Sequence, residues 1–292
     1  MKELMRSETK DDWGIKTLQN CILNIAQYID DFCQENNVIY YLMGGSALGA
    51  IRHNGFIPWD DDLDVFMTPD NYERFRDLFN KKGDKEKYYL QEMGAADGRV
   101  ITAKVRLNNS TYIEEIVKDW DIHHGVFVDI FILHTCPENK WKRYWQYFWA
   151  KYLIIKGLAN KEYNRRGGLV NNAVRAMKIL PKRFLLSYGL KQVYRYRNES
   201  SAYKCNYLGK AVMRNGTYKA SHFAGTKRHK FETIELNVAQ NVEEFLSERF
   251  GDYMKIPDIS RIRYEQHALD WSPNKPFEPR KEGKFLDEKY LF

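Results

Sequence analysis

The sequence predicts an α+β protein, a mixed α/β arrangement in which short apolar strands alternate with amphipathic helices. Three stretches carry that reading. Leu18, Ile22, Ile25, Ile29 and Phe32 recur at alternating steps of four and three, the apolar stripe of a helix covering roughly residues 13–35. Residues 38–43, VIYYLM, and 125–133, GVFVDIFIL, are short and rich in β-branched and aromatic side chains, as buried strands are. With 292 residues, 43% of them hydrophobic and 29% charged, the chain is long enough to bury a full core.

After the first strand comes Gly44-Gly45-Ser46. The glycines let the backbone turn tightly and approach a ligand, and Ser46 is expected to start a helix that runs to about His53 and is closed by Gly55. Such a helix N-terminus presents free N–H groups and the positive end of a dipole, an anion site. Asp60, Asp61, Asp62 and Asp64 follow within five residues. Asp62 and Asp64 alternate with Leu63, Val65 and Met67, so a strand here sends both carboxylates to one face. Two carboxylates so placed repel each other unless a cation sits between them, and a hard divalent ion shared with a substrate phosphate, Mg²⁺ or Mn²⁺, suits oxygen ligands. The pattern points to a metal-assisted reaction on a phosphate.

Thr68-Pro69-Asp70 reads as a helix start, with Tyr72, Phe75 and Phe79 on the buried face. Strands are expected at 88–91 and 99–107; Lys104 and Arg106 share one face of the second, either as donor contacts or as solvated charges on an edge. Asp129 is the only charge in residues 125–133. Buried there it requires a partner. Two readings are open: a third metal-facing carboxylate, or an ion pair with Lys104 or Arg106.

Net charge is +7, unevenly spread. Residues 140–197 hold fifteen Lys or Arg and one acid, Glu162, a net of +14, which leaves −7 on the rest. Within this stretch Trp141, Tyr144, Trp145, Phe148, Trp149, Tyr152 and Leu153 keep helical spacing beside Lys140, Lys142, Arg143, Lys151 and Lys156. A helix at an anionic membrane interface has this composition, and a helix packed on a core has the same stripe. Nucleic acid is disfavoured as a partner, since no nucleic-acid motif accompanies the basic stretch and its aromatics keep to one face.

Cys21, Cys33, Cys136 and Cys205 form no CxxC pair and are expected as small buried hydrophobes rather than a zinc or disulfide framework. The first residues lack a signal-peptide core and no run approaches a spanning helix, so a cytoplasmic protein, peripheral at the inner face of the cytoplasmic membrane, is expected. The last third holds a helix at Val242–Phe250 closed by Gly251 and a polar tail containing Pro273, Pro276 and Pro279. The expected division is a catalytic core at 1–135, a basic aromatic helical region at 136–200 and a C-terminal segment at 201–292 that packs on the core.

The run GGSALGAIRHNGFIPWDDDLDV resembles the signature of the LicD/fukutin family, as do HGVFVDIFIL and FGDYMKIP. The resemblance covers most of residues 20–133 and 230–267, leaves 140–200 unmatched, and departs at Val238-Ala239-Gln240-Asn241, where a proline-containing segment belongs. It implies a nucleotidyltransferase-like core with a mixed β-sheet flanked by helices. It also implies transfer of phosphocholine, or another phospho-alcohol, from a CDP-linked donor such as CDP-choline to a glycan or lipid-linked glycan, with release of CMP. The metal would be held by Asp62, Asp64 and Asp129, with Asp60 and Asp61 shaping the turn or supporting the ligands. Donor contacts would come from Gly44, Gly45, Ser46, Arg52, His53, Trp59, Lys104 and Arg106. Asp129 or Asp64 would accept the acceptor's proton, and Trp59, Tyr112 and Trp120 could offer rings to a quaternary ammonium. A nucleotidyltransferase using an NTP on a small molecule or RNA, and an inactive membrane-associated scaffold, are the alternatives.

Overall fold

The computed structural model of the chain describes residues 13–92, 102–115, 117–118, 120–159, 182–209, 211–258 and 266–277, with side chains left aside at 157–159 and 182–184. The N-terminal residues read for a signal peptide, the stretch 160–181 and the end of the polar tail lie outside it.

Helix α1 spans Lys16–Glu35 and buries the expected stripe, Leu18, Ile22, Ile25, Ile29 and Phe32. It lies along a five-stranded sheet of order β1-β2-β6-β4-β3, formed by Tyr40–Leu42, Asp64–Met67, Phe127–Ile132, Ala103–Leu107 and Tyr88–Gln91. β2 and β6 run parallel, and the other neighbours are antiparallel, so the sheet is mixed. The two central strands are continuous apolar runs interrupted by aspartates only at the end that carries the site. β4 is internal, and its Lys104 and Arg106 are 3% and 1% exposed, which excludes the solvated-edge reading.

Helix α2, Gly44–His53, connects β1 to the aspartate run. It begins at Gly44 and not at Ser46, after Met43 in extended conformation, and its left-handed C-cap is Asn54 (φ 54°) in place of the expected Gly55. The glycine that matters most here is Gly49: a Cβ there would stand 2.5 Å from the Gly55 carbonyl oxygen, so only glycine lets the chain fold back against the helix and aim the Ile57–Asp60 turn at the sheet. Helix α3, Pro69–Lys82, starts as expected, with the Thr68 hydroxyl accepting from the Asn71 N–H and Asp70 in the first turn.

The C-terminal third wraps this sheet. A hairpin of β10, Thr226–Phe231, and β11, Ile234–Ala239, lies against β1 and α2; Phe231 meets Phe56 edge-on and the Glu232 carboxylate accepts from the Phe56 N–H. Helix α6, Val242–Phe250, ends at Gly251 with φ +70°, as its sequence predicts. Residues 268–272, read from sequence as tail, form β12 and pair with β5, Thr111–Glu114.

A second, smaller core is built by α4, Lys140–Ala159, packed on α5, Lys182–Tyr194, together with a three-stranded sheet of β7, His134–Cys136, β8, Tyr203–Cys205, and β9, Thr217–Lys219. All four cysteines are free and buried, as expected. No helix among the described residues is long and apolar enough to cross a membrane.

Candidate active site

The parallel register places Asp64 beside Asp129, and the antiparallel register of β6 with β4 places Lys104 on the other side of Asp129, with Gln91 beyond it. Residues in register across a sheet share a face. The sheet thus carries a row Asp64, Asp129, Lys104, Gln91 at one end, and Asp62 precedes it by one strand repeat. Asp129 is tied into the row: its backbone N–H donates to the Leu63 carbonyl at 3.0 Å, Lys104 Nζ donates to one carboxylate oxygen at 2.9 Å and the Thr102 hydroxyl donates to the other at 3.3 Å. The ion pair with Lys104 that the sequence leaves open is therefore formed.

Lys104 also lies 3.4 Å from Glu114 and over the Phe127 ring, while Arg106 donates to Gln91 Oε1 and the Gly125 carbonyl. Both cations are thus held from β4 under the row.

Ser46 does not cap α2. Its hydroxyl accepts from the Asp64 N–H at 2.8 Å, and Met43 N–H donates to the Asp64 carbonyl at 3.0 Å, so the Gly-Gly-Ser turn clamps the backbone of the aspartate strand. A Cβ on Gly45 would stand 3.0 Å from Asp60 Oδ2; glycine is needed where the Asp60 carboxylate comes down on the helix start. The turn bearing Asp60 is itself anchored by buried Gln19 of α1, whose side-chain amide donates to the carbonyls of Ile57 and Asp60.

Asp61 is buried and accepts from the backbone N–H groups of His267 and Ala268, at 2.7 and 2.8 Å, which fastens β12 to the site. The His267 ring sits 3.3 Å from Asp61 and 3.6 Å from Asp62. Asp61 thus anchors the C-terminal segment, and ligand atoms of Asp61, Asp62 and His267 lie within 4.8 Å of one another, close enough to hold a metal ion.

The electrostatics show too many carboxylates for the cations present. Burial first, then Asp62 and Asp129, push the Asp64 carboxyl well above the ordinary range against the pull of Lys104 and Arg249. Burial raises Asp62 to about 6, with His267 opposing and Asp61 and Asp129 adding to the rise. Asp60 is raised by burial and its three aspartate neighbours; Asp129 is raised by burial against the pull of Lys104. Glu114 goes the other way: burial would raise it, but Lys104 and Arg106 together hold it below the usual value. Buried carboxylates that repel one another are a donor set fit for a hard cation.

The aromatic residues expected to face a ligand are packed instead, Tyr112 with its side chain near Asp61 and Asp62. Trp59 is 1% exposed, packed against Trp13 and His53; Tyr112 is 1% exposed against Phe127; and Trp120 is buried. None offers an open ring face to a quaternary ammonium, because each fills the core. Arg52 donates to the Tyr253 carbonyl at 2.9 Å and to His53, joining α2 to the segment after α6.

Three residues near the row had no signal in the sequence. Glu114 comes from β5 and His267 from the edge of β12. Arg249, from the last turn of α6, reaches the start of α2, where a Cβ on Gly44 would meet its guanidinium at 3.7 Å, and it donates to the Tyr218 hydroxyl.

A mixed sheet that gathers carboxylates and cations in one row is compatible with phosphoryl-group transfer, and the comparisons with known proteins point to that class. Residues 37–162 match the LicD/FKTN/FKRP nucleotidyltransferase domain, in line with the resemblance read from the sequence. The match runs past the strands that carry the row into α4, beyond the 20–133 part of the resemblance. The chain is 29% identical over 261 residues to the lipopolysaccharide cholinephosphotransferase LicD of Haemophilus influenzae, covering 83% of this chain and 92% of that protein. It is also 36% identical over 56 residues to the human ribitol 5-phosphate transferase FKRP, covering 19% of this chain and 11% of that one. The protein is a phosphotransferase, and the inactive-scaffold reading falls away.

Proposed function

We propose that this phosphotransferase moves phosphocholine, or a related phospho-alcohol, from a CDP-linked donor to a hydroxyl of a cell-surface glycan or its lipid-linked precursor and releases CMP. It would work at the inner face of the cytoplasmic membrane. The observation that carries the reading is the row Asp64, Asp129, Lys104 with Asp62 in front of it, three carboxylates raised by burial, Asp62 and Asp64 also by neighbouring aspartates and Asp129 by Glu114. The activities of the bacterial and human relatives support the group transferred and the kind of acceptor.

Asp62, Asp64 and Asp129 would hold Mg²⁺ or Mn²⁺. Bound there, the ion supplies charge neutralisation to the donor's phosphate oxygens and to the departing CMP. The chain's own residues do the rest. Lys104 fixes the orientation of Asp129 by its 2.9 Å ion pair, and Ser46 fixes the backbone of Asp64. Asp64 would take the proton of the incoming sugar hydroxyl as general base. Arg249, beside the start of α2, brings a second cation to the donor's anionic end. Gly45 lies against Asp60, so the donor phosphate is better served by these cations than by the first turn of α2.

The test is CMP release from CDP-choline, CDP-ribitol and CDP-glycerol with Mg²⁺ and a glycan acceptor. Release with one of them, abolished in Asp64→Asn, is the expected result. No release with any donor, or full activity in Asp64→Asn, overturns the proposal; pyrophosphate release from an NTP would assign the site to nucleotidyl transfer.

A further inference from the structure

Helix α4 divides its aromatic residues between two faces. Trp149, Tyr152 and Leu153 point into the second core with Ala150. Trp141, Tyr144, Trp145 and Phe148 point outward, 81%, 53%, 44% and 52% exposed. Their spacing of i, i+3, i+4 and i+7 makes one continuous stripe, and neighbouring rings touch: Trp145 stacks on Phe148 at 5.7 Å and Trp141 lies 6.3 Å from Tyr144. Tyr188 of α5, 37% exposed, meets Trp149 beside them. A soluble surface does not leave four large rings in one row without a use for them.

The cations divide in the same way. Lys151 donates to the carbonyls of Gly209 and Ala211, Arg143 donates to the Pro137 carbonyl and lies over the Tyr203 ring, and Lys156 is fully buried. Three of the five basic residues that the sequence offers as lipid contacts are thus internal. Lys140 and Lys142, both exposed, border the stripe on either side of Trp141, and Lys191 is exposed on α5. The whole stretch 140–197 still carries fifteen bases to one acid.

We infer that this stripe seats in the interfacial layer of an anionic lipid bilayer, with Trp141, Tyr144, Trp145 and Phe148 at headgroup depth and Lys140 and Lys142 on the phosphates. Aromatic rings with a polar tip and flanking lysines are the side chains that prefer this layer. A second copy of the chain is a poor occupant, since it would bring a second segment of net +14 against the first. The inference rests on the proposed function only for the place of work, and its test separates the two.

Purified full-length protein is sedimented with vesicles of phosphatidylcholine alone and of phosphatidylcholine mixed with phosphatidylglycerol. Binding is expected to the mixed vesicles, to weaken as salt is added, and to drop about tenfold or more in Lys140→Glu/Lys142→Glu. Trp141→Ala/Phe148→Ala is expected to lose binding to a similar extent at low salt as well. Lipids brominated near the headgroup should quench wild-type fluorescence more than that of Trp141→Phe. CMP release with a water-soluble acceptor, measured on the same variants, stays at the wild-type level if the face serves the membrane alone. Failure of that release in wild type would therefore overturn the reaction and leave the docking face standing. Equal sedimentation with both vesicle types, or undiminished binding in Trp141→Ala/Phe148→Ala, overturns the docking face; so does a dimer in solution that these substitutions dissolve.

Discussion

In the large sheet, charged side chains turn inward: Asp129, Lys104 and Arg106 are buried, both cations over the Phe127 ring. On α4 the reverse holds, and Trp141, Tyr144, Trp145 and Phe148 stand in solvent while Lys156 is buried. Buried charge is costly unless each group serves another, and exposed rings cost water contact unless something covers them. The two regions are thus unusual in opposite senses. In the first, the cost falls on stability and is repaid in chemistry; in the second, it is relieved on contact.

The strongest way to separate the regions is Asp64→Asn. Loss of the proposed proton acceptor should reduce transfer by about 10² to 10⁴-fold. In the metal-free protein the same change removes a carboxylate that its neighbours repel, so the melting temperature should rise. An inactive variant that is also less stable would contradict the account of Asp64 as a destabilised, functional group.

Lys104 should show the opposite balance. Its ammonium holds Asp129 and Glu114 at once, at 2.9 and 3.4 Å. Lys104→Met leaves both acids short of a partner and should cost about 3 kcal/mol or more in urea unfolding, together with activity. Unchanged stability would show that Arg106 alone satisfies this corner.

How far these features are legible in the sequence differs by region. Alternation along residues 62–67 places Asp62 and Asp64 on one face without any knowledge of the sheet, and a lone acid in residues 125–133 marks Asp129. The partners of these residues are another matter. Lys104 reaches Asp129 through strand register, and His267 lies 206 positions from Asp61 in a stretch that lacks strand alternation. Ser46 reads as a helix cap because nothing local shows that the Asp64 N–H will come to its hydroxyl. Trp59, Tyr112 and Trp120 read as ring faces for a ligand because an aromatic residue suits a core and a binding site equally well. The stripe on α4 has the same ambiguity, and the structure resolves it by sending Trp149 inward and Trp145 outward.

Two substitutions in that helix test the division directly. Trp149→Ala empties space in the second core and should cost about 3 to 5 kcal/mol. Trp141→Ala, at a residue 81% exposed, should change stability by no more than about 0.5 kcal/mol. Similar losses at both positions would mean that the outward stripe is packed in solution.

Acid stability supplies the last test, where the regions should oppose each other. Burial raises Asp62 to about 6 in the fold, above its ordinary value, so the folded state takes up a proton before the unfolded one. That contribution is present at low pH and fades as pH rises through about 6. His134, at the start of β7, is buried against Tyr194 with neither ring nitrogen hydrogen-bonded, and burial, helped by Lys204, lowers it to about 3. Its unfolded form takes up the proton first, so its contribution is complete above about 6.5 and is lost as pH falls toward about 3. Either group alone tilts stability by at most about 1.4 kcal/mol per pH unit. Measured by urea unfolding of metal-free protein from pH 6.5 to 4, His134→Leu should gain stability on acidification relative to wild type, and Asp62→Asn should lose it. The two groups sit in separate cores, so the double variant should show the sum of the single slopes. Parallel curves for wild type and His134→Leu would mean that the His134 ring finds a proton partner in solution and that the second core is less closed around it.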